Sequence, residues 1–385
     1  MVKSKKVIVG MSGGVDSSVA AALLVSQGYD VVGVFMKNWH PQHKQFKDVC
    51  PWEDDLRDAK TVAARLGIPL EVWNFEKLYH DRVVSYFFKE YRAGRTPNPD
   101  VMCNKEIKFK AFFDKAMAAG ADYIATGHYA RVRANTKHPA STDVESGGQD
   151  TNTKHKEYQL FAGKDKNKDQ SYFLWGIDRK ILSKVLFPIG SYTKPQVREL
   201  AKKFNLPVHD KKDSQGICFI GPINVLEYLK TELPIRPGDI VDEKNNKVGE
   251  HQGAWFYTEG QRQGIGSRGG TIPQYVTKKD IKNNKLIVGG RKSPGLYAQG
   301  LIANQLNFLV PTPLLYRIFK EGRDSKKIGV RIRYRHPIVP ARITTKKNEA
   351  SIAFYQPQRA VTPGQSVVFY YGDLVLGGGI IDRAL

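Results

Sequence analysis

Cys103 and Cys218 are the residues of this 385-residue chain best suited to covalent chemistry. Cys103 stands near the end of the run Gly94-Arg-Thr-Pro-Asn-Pro-Asp-Val-Met-Cys-Asn-Lys105, where two prolines stiffen the approach and a helix is expected to begin at Asn104 or Lys105. A thiol just ahead of a helix N-terminus, with Lys105 beside it, is expected to have a lowered pKa and a usable thiolate population at neutral pH. Asp100, three residues earlier, is placed to act as an acid/base partner. Cys218 lies in Asp213-Ser-Gln-Gly-Ile-Cys-Phe-Ile-Gly221, where Gly216 and Gly221 predict a mobile loop rather than core. A lone cysteine is ordinarily a small buried hydrophobe, but both of these sit among turn residues, which favours reactivity. Cys50, ahead of Pro51-Trp52-Glu53, has no such surroundings and reads as structural. Three cysteines make neither a disulfide framework nor a four-thiolate metal site. His40 and His43, the closest histidine pair, sit in a proline-containing loop and read as surface decoration, so no protein-held metal is expected.

A second chemical element lies at the N-terminus. The apolar run Val7-Ile8-Val9-Gly10-Met11 feeds Ser12-Gly13-Gly14-Val15-Asp16-Ser17-Ser18, which opens a helix. Glycines let the backbone approach an anion, consecutive N–H groups converge, and the helix end adds partial positive charge. The serine hydroxyls add donors. No Gly-Lys-Ser/Thr follows, so this is not a Walker A loop, nor is it Gly-x-Gly-x-x-Gly.

Net charge points to the partner. Sixty Lys and Arg against 38 Asp and Glu leave +22, which indicates a polyanion, nucleic acid before membrane. No apolar run reaches the roughly 20 residues needed to cross a bilayer. The N-terminus has no signal-peptide pattern, so a cytoplasmic location is expected. Basic residues concentrate in 320–347, with Lys320, Arg323, Lys326, Lys327, Arg331, Arg333, Arg335, Arg342, Lys346 and Lys347 against Glu321 and Asp324. Read as a strand, Val330-Arg-Ile-Arg-Tyr-Arg-His336 would put Arg331, Arg333 and Arg335 on one face for phosphate contacts, with Ile332 and Tyr334 toward a core.

The elements that must carry these groups alternate in the first third. Strands are expected at 7–11, 29–36, 70–75 and 122–126, with helices at 16–27, 53–66, 78–92 and 105–119, and a further helix at 193–204. That alternation predicts an α/β fold with a doubly wound parallel sheet. A polar stretch at 134–157 reads as a flexible surface insertion. Beyond residue 222, Pro- and Gly-punctuated strands predict a small β-rich central domain and then a C-terminal β-barrel. The expected domains are 1–221, 222–290 and 291–385.

The Ser-Gly-Gly-x-Asp-Ser arrangement resembles the phosphate loop of the PP-loop ATP pyrophosphatase superfamily. Together with Asn98-Pro-Asp-Val-Met-Cys-Asn-Lys105, Ala125-Thr-Gly-His128, Lys168-Asp-Gln-Ser-Tyr-Phe173, Gly216-Ile-Cys-Phe-Ile-Gly221 and Thr362-Pro-Gly-Gln365, it resembles the bacterial tRNA-specific 2-thiouridylase family over nearly the whole chain. The 134–157 stretch is longer than that family leads one to expect.

The resemblance implies ATP-dependent replacement of the C2 oxygen of the wobble uridine, U34 in the tRNA anticodon loop, by sulfur. It implies ATP, with Mg²⁺, at Gly10, Met11, Ser12, Gly13, Gly14, Val15, Asp16, Ser17, Met36 and Gly127. Target-base contacts would fall on Asn98, Pro99 and Asp100, and further tRNA contacts on His128, Lys168, Asp169, Gln170, Tyr334, Arg335 and Gln365. Cys218 would carry a persulfide received from a sulfur-relay protein or cysteine desulfurase. Cys103 would be the nucleophile, forming a Cys103–Cys218 disulfide that a reductant resets, and Asp100 the acid/base. A small-molecule synthetase of the same superfamily fits the charge and the paired cysteines poorly, and an iron–sulfur thiolase would need clustered cysteines.

Overall fold

The computed structural model describes residues 4–39, 46, 52–135, 157–213, 218, 223–265, 273–321 and 328–385. Cys50, His40, His43, Gly216, Gly221, most of the 134–157 stretch and the basic residues within 322–327 lie outside the described residues.

The first unit runs β1 (Lys6–Met11), α1 (Val15–Ser26), β2 (Asp30–Lys37), α2 (Trp52–Leu66), β3 (Leu70–Asn74) and α3 (Glu76–Tyr79). A π-helical stretch, His80–Val84, carries α3 into α4 (Ser85–Arg92). After α5 (Pro99–Met102), a π-helical run over Cys103–Phe112 leads into α6 (Phe113–Ala118). The chain continues as β4 (Tyr123–Thr126), β5 (Ala130–Asn135), β6 (Glu157–Ala162), β7 (Val185–Leu186) and α7 (Lys194–Lys203). Strands β3-β2-β1-β4-β7 form a parallel sheet in that order. Its central strand is buried on both sides. Val7, Val9 and Met11 pack with α1, α2 and α7, while Ile8 packs with the aromatic cluster of α3, α4 and α6 on the other face. The expected doubly wound sheet is therefore present.

Two local expectations need correction. The helix that carries Cys103 begins at Pro99, not at Asn104 or Lys105. The Asn98 side chain accepts the Val101 N–H at 3.2 Å as N-cap, and Pro99 takes the first helical position, where its missing N–H costs nothing. The flanks of the polar stretch, in turn, are antiparallel strands: β5 pairs with β6 from Ala130↔Ala162 to Asn135↔Glu157.

The central unit holds α8 (Val225–Leu229) and the strands β8 (Gly238–Val241), β9 (Lys247–His251), β10 (Tyr275–Asp280) and β11 (Lys285–Gly289), ordered β10-β11-β8-β9. The last unit comprises β12 (Tyr297–Phe308), α9 (Thr312–Glu321), β13 (Ile328–Arg331), β14 (Val339–Lys346), β15 (Glu349–Arg359), β16 (Ser366–Tyr371) and β17 (Leu374–Ala384). The order β12-β15-β14-β13-β16-β17 closes through β12–β17 pairing into a six-stranded barrel. The β5–β6 hairpin adds to it at Leu374↔Phe161, so the first unit lends two strands to the barrel sheet. Among the described residues no helix is long and apolar enough to cross a membrane.

Candidate active site

The phosphate loop follows β1 as a tightly folded turn. Ser12 N–H donates to Ser17 Oγ at 3.1 Å, and the two serine hydroxyls lie 3.2 Å apart. Ser18 Oγ donates to Gly14 O at 2.8 Å. Gly13 has φ +71°, and a Cβ there would come 2.2 Å from the Asp55 carbonyl oxygen. A Cβ on Gly127 would lie 2.6 Å from Ser17 N, and one on Gly10 would lie 3.0 Å from the Met36 methyl. The structure thus gathers Gly10, Met11, Ser12, Gly13, Gly14, Val15, Asp16, Ser17, Met36 and Gly127 at the end of β1. Gly14 occupies the N-cap of the 12-residue α1 and offers no side-chain cap to the first-turn N–H groups. Those donors fit a polyphosphate tail.

Several charged residues at this loop were not legible in the sequence. Lys194 Nζ lies 2.8 Å from Asp16 Oδ1 and 2.6 Å from Asp213 Oδ1, and Tyr129 OH donates to Asp16 at 2.8 Å. Asp213 also meets Lys168 at 2.5 Å and Arg198 at 3.2 Å. Partial burial works against its charge, yet the hydrogen bonds and charges of Lys168 and Lys194 pull its carboxyl down to about 2. Lys211 donates to the Gly13 carbonyl at 3.2 Å and to Asp55 at 2.7 Å, pinning the loop from α2. Among the described residues no group of three His, Cys, Asp or Glu is set to hold a metal ion.

The two cysteines, 115 positions apart in the chain, meet. Cys103 Sγ and Cys218 Sγ are 3.9 Å apart, the Cys103 thiol donating. Asp100 Oδ1 accepts the Cys218 N–H at 2.9 Å, and Tyr79 OH donates to the Cys218 carbonyl at 2.7 Å. Their electrostatics overturn the expectation for Cys103. It lies inside a helical run, fully buried, and burial together with its hydrogen bond to Cys218 holds its thiol well above the usual range. Cys218 carries the lowered pKa, through the hydrogen bond from Cys103 and the nearby charge of Lys108. Burial raises the Asp100 carboxyl, which suits an acid/base group. Asn104 donates to the Asp100 carbonyl at 3.0 Å and keeps a buried Oδ1 without a hydrogen-bond partner among the described residues.

The path from thiols to phosphate loop is short in sequence terms. Gly127 packs on Ser17, and the next residue, His128, lies against Phe109, with ring centroids 5.8 Å apart. His128 is 6 % exposed, its Nδ1 lies 2.7 Å from Thr126 Oγ1, and burial with the Lys108 charge holds it neutral.

The barrel closes the other side. Gln365 Nε2 donates to the carbonyls of Thr96 and Pro97 at 2.9 and 3.1 Å, next to Asn98 and Pro99. Tyr334 stacks on Phe173 with centroids 4.4 Å apart, and Arg335 lies over the Tyr334 ring at 5.4 Å. The other candidates for tRNA contact have internal partners. Asp169 is 2 % exposed and accepts from Gly163 N, Ser171 N and Arg331, while Gln170 Oε1 accepts the Tyr129 N–H.

The expected arginine stripe is not there. β13 ends at Arg331, and Arg335 adopts φ +62°, so the period of two stops before Arg333. Arg331 is buried in an ion pair with Asp169 at 2.8 Å. Arg333 donates to Ala360 O and Thr362 Oγ1, and of the three only Arg335 is exposed. Ile332 is buried as expected.

This combination of nucleotide-type parallel sheet, small central unit and closing barrel defines the class. Residues 5–222 match the family model described as tRNA methyl transferase HUP domain. Residues 226–290 match its PRC-barrel domain, and residues 298–381 match the aminomethyltransferase beta-barrel domain. Relatives extend over the full length. The tRNA-specific 2-thiouridylase MnmA of Shouchella clausii is 48% identical over 381 residues, covering 98% of this chain and 96% of that protein. Those of Oceanobacillus iheyensis and Streptococcus mutans are 46% and 47% identical, covering 100% and 98% of this chain and 96% and 95% of theirs. The chain belongs to the tRNA-specific 2-thiouridylase family.

Proposed function

We propose that this protein is a tRNA-uridine 2-sulfurtransferase that converts U34 to 2-thiouridine with ATP. The observation that carries it is the approach of Cys103 and Cys218 to 3.9 Å beside Asp100, a residue of the expected target-base segment, within a chain whose β1 ends in a phosphate loop. A uracil C2 oxygen is a poor leaving group. Its attack on the α-phosphorus of ATP expels pyrophosphate and turns the oxygen into part of AMP. Residues 10–17 with Met36 and Gly127 would hold ATP, the α1 N-terminus would face its phosphates, and Mg²⁺ would share their charge. A sulfur nucleophile then adds at C2 and AMP leaves with the oxygen. Cys218 would bring the sulfur as a persulfide taken from a donor protein. Attack by Cys103 on Cys218 Sγ releases it, leaving a disulfide that an external dithiol reduces.

Asn98, Pro99 and Asp100 would meet the target base, with Tyr334, Arg335, Gln365 and Lys168 along the anticodon stem-loop. His128, Asp169 and Gln170 would act behind that surface as supports. An anticodon base is already single-stranded, so moving it into a pocket costs less than from a duplex. Domains of 1–221, 222–290 and 291–385 and a cytosolic setting accord with such a substrate.

Mass spectrometry of tRNA nucleosides after incubation with ATP, Mg²⁺ and a persulfide source tests this. Formation of 2-thiouridine at position 34, absent with Cys218→Ser, supports it. ATP cleavage at full rate without tRNA and no thiolated nucleoside would point to a small-molecule substrate instead.

A further inference from the structure

The carboxylate of the phosphate loop takes two hydrogen bonds on a single oxygen. Tyr129 OH and Lys194 Nζ both donate to Asp16 Oδ1 at 2.8 Å. Asp16 stands in the first turn of α1, at the helix end that would face the ATP phosphates. Neither donor is close to the loop in the chain. Tyr129 follows β4 and is 1 % exposed, and Lys194 opens α7 and is 8 % exposed. The helix itself does not need them, because Val15, Val19 and Leu23 of α1 already pack with β1 and with Val197 and Ala201 of α7.

The far end of each donor is held by one segment, residues 163–170. Tyr129 exchanges two hydrogen bonds with Gln170: its N–H donates to Gln170 Oε1 and its carbonyl accepts the Gln170 N–H, both at 3.0 Å. A Cβ on Gly163, at the start of the segment, would lie 2.5 Å from that same carbonyl oxygen. The Lys194 N–H donates to Asp165 Oδ2 at 2.8 Å, while Asp165 Oδ1 accepts the N–H groups of Asn167 and Lys168 at 3.0 and 3.2 Å. Asp213 adds a third tie, with Lys168 on one oxygen at 2.5 Å and Lys194 on the other at 2.6 Å. Two residues thus grip the Lys168 segment with their backbones and the phosphate loop with their side chains.

We propose that Tyr129 and Lys194 are positioning residues through which tRNA on the 163–170 segment sets Asp16 for ATP, so that each ligand tightens the binding of the other. This rests on the reading above that puts Lys168 against the anticodon stem-loop and ATP at residues 10–17. A tRNA phosphate at Lys168 fixes the segment, the segment fixes the backbones of Tyr129 and Lys194, and their side chains fix Asp16. By linkage, ATP in the loop must strengthen tRNA binding by the same factor. ATP is then held most tightly where a tRNA is present, which suits an activated intermediate that forms on the tRNA itself.

The test is the affinity of the full-length protein for α,β-methylene-ATP with Mg²⁺, by titration calorimetry, with and without saturating unmodified tRNA bearing U34. For the wild type, tRNA should tighten analogue binding about tenfold. Tyr129→Phe keeps the ring and removes only the hydroxyl, and it should cut that factor to about threefold or less. Adding Lys194→Met should bring it close to one, while Lys194→Arg, which keeps the charge, should retain more of it than Lys194→Met. A wild-type factor of one overturns the proposal, as does a Tyr129→Phe factor equal to the wild type. Weaker binding of each ligand alone with an unchanged factor also overturns it, since that is what a merely structural bond would give. If Lys194→Met does not fold, judged by its thermal melt, Tyr129→Phe decides alone. The titration involves no sulfur transfer. Coupling present in a protein that makes no 2-thiouridine would sink the thiolation reading alone, and 2-thiouridine formed without coupling would sink only this one.

Discussion

At the residue scale, charge placement decides what each group can do. Cys103 was expected to be the reactive thiolate because a helix start next to a lysine lowers a thiol pKa. Asn98 caps the helix instead, so Cys103 sits in its body and burial dominates. The lowered pKa belongs instead to Cys218, whose backbone N–H is held by Asp100. Asp213 shows the opposite case, a carboxylate surrounded by Lys168, Lys194 and Arg198. Its folded pKa of about 2 lies below the roughly 3.9 of an unfolded aspartate, so the stability it contributes is complete above about pH 4 and is lost as pH falls toward 2. Asp213→Asn should therefore lower the urea midpoint by the same amount at pH 7 and pH 5. That gap should narrow below pH 4, and a gap that widened on acidification would contradict the assignment.

At the element scale, local signals were legible and non-local ones were not. The apolar run of β1, the glycines after it and the Thr193 cap of α7, whose backbone N–H is met by Gln196 at 2.9 Å, are written in adjacent residues. The Cys103 helix start was misplaced because Pro97 and Pro99 read alike as stiffeners, although only Pro99 sits at the first helical position. The π-helical run over Cys103–Phe112 escaped notice because nothing local in the sequence announces it. The arginine stripe failed because period two was extended through a turn, where the left-handed Arg335 breaks it. The consequence is measurable. Arg331→Met should cost about 3–5 kcal/mol by leaving buried Asp169 unpaired, while the salt dependence of tRNA binding stays as in the wild type. A salt slope shallower by about one, with stability unchanged, would return Arg331 to a phosphate contact.

At the scale of the whole molecule, the barrel is part of the site. It was legible that a β-rich end follows an α/β start. That the β5–β6 hairpin joins the barrel sheet was not, since pairing between Phe161 and Leu374 leaves no local trace. Nor was the meeting of Cys103 with Cys218 a product of spacing; the family resemblance supplied it. The 362–365 turn connects the units, because Pro363 O accepts the Thr96 N–H at 2.9 Å and Gln365 holds the next two carbonyls. Gly364 has φ +92°, and a Cβ there would come 2.9 Å from Thr96 N and O. Gly364→Ala should destabilise by about 1 kcal/mol or more and displace the 96–97 segment. Thiolation should fall more than ATP affinity does; equal losses would argue that the turn only supports the fold.

The central chemical step can be caught directly by non-reducing peptide mapping of the protein after a single turnover with tRNA, ATP and a persulfide donor, without reductant. One Cys103–Cys218 linkage should appear for each 2-thiouridine made, starting from sulfurs that stand 3.9 Å apart and need to close to about 2 Å. Thiouridine accumulating while both cysteines remain free thiols would contradict it.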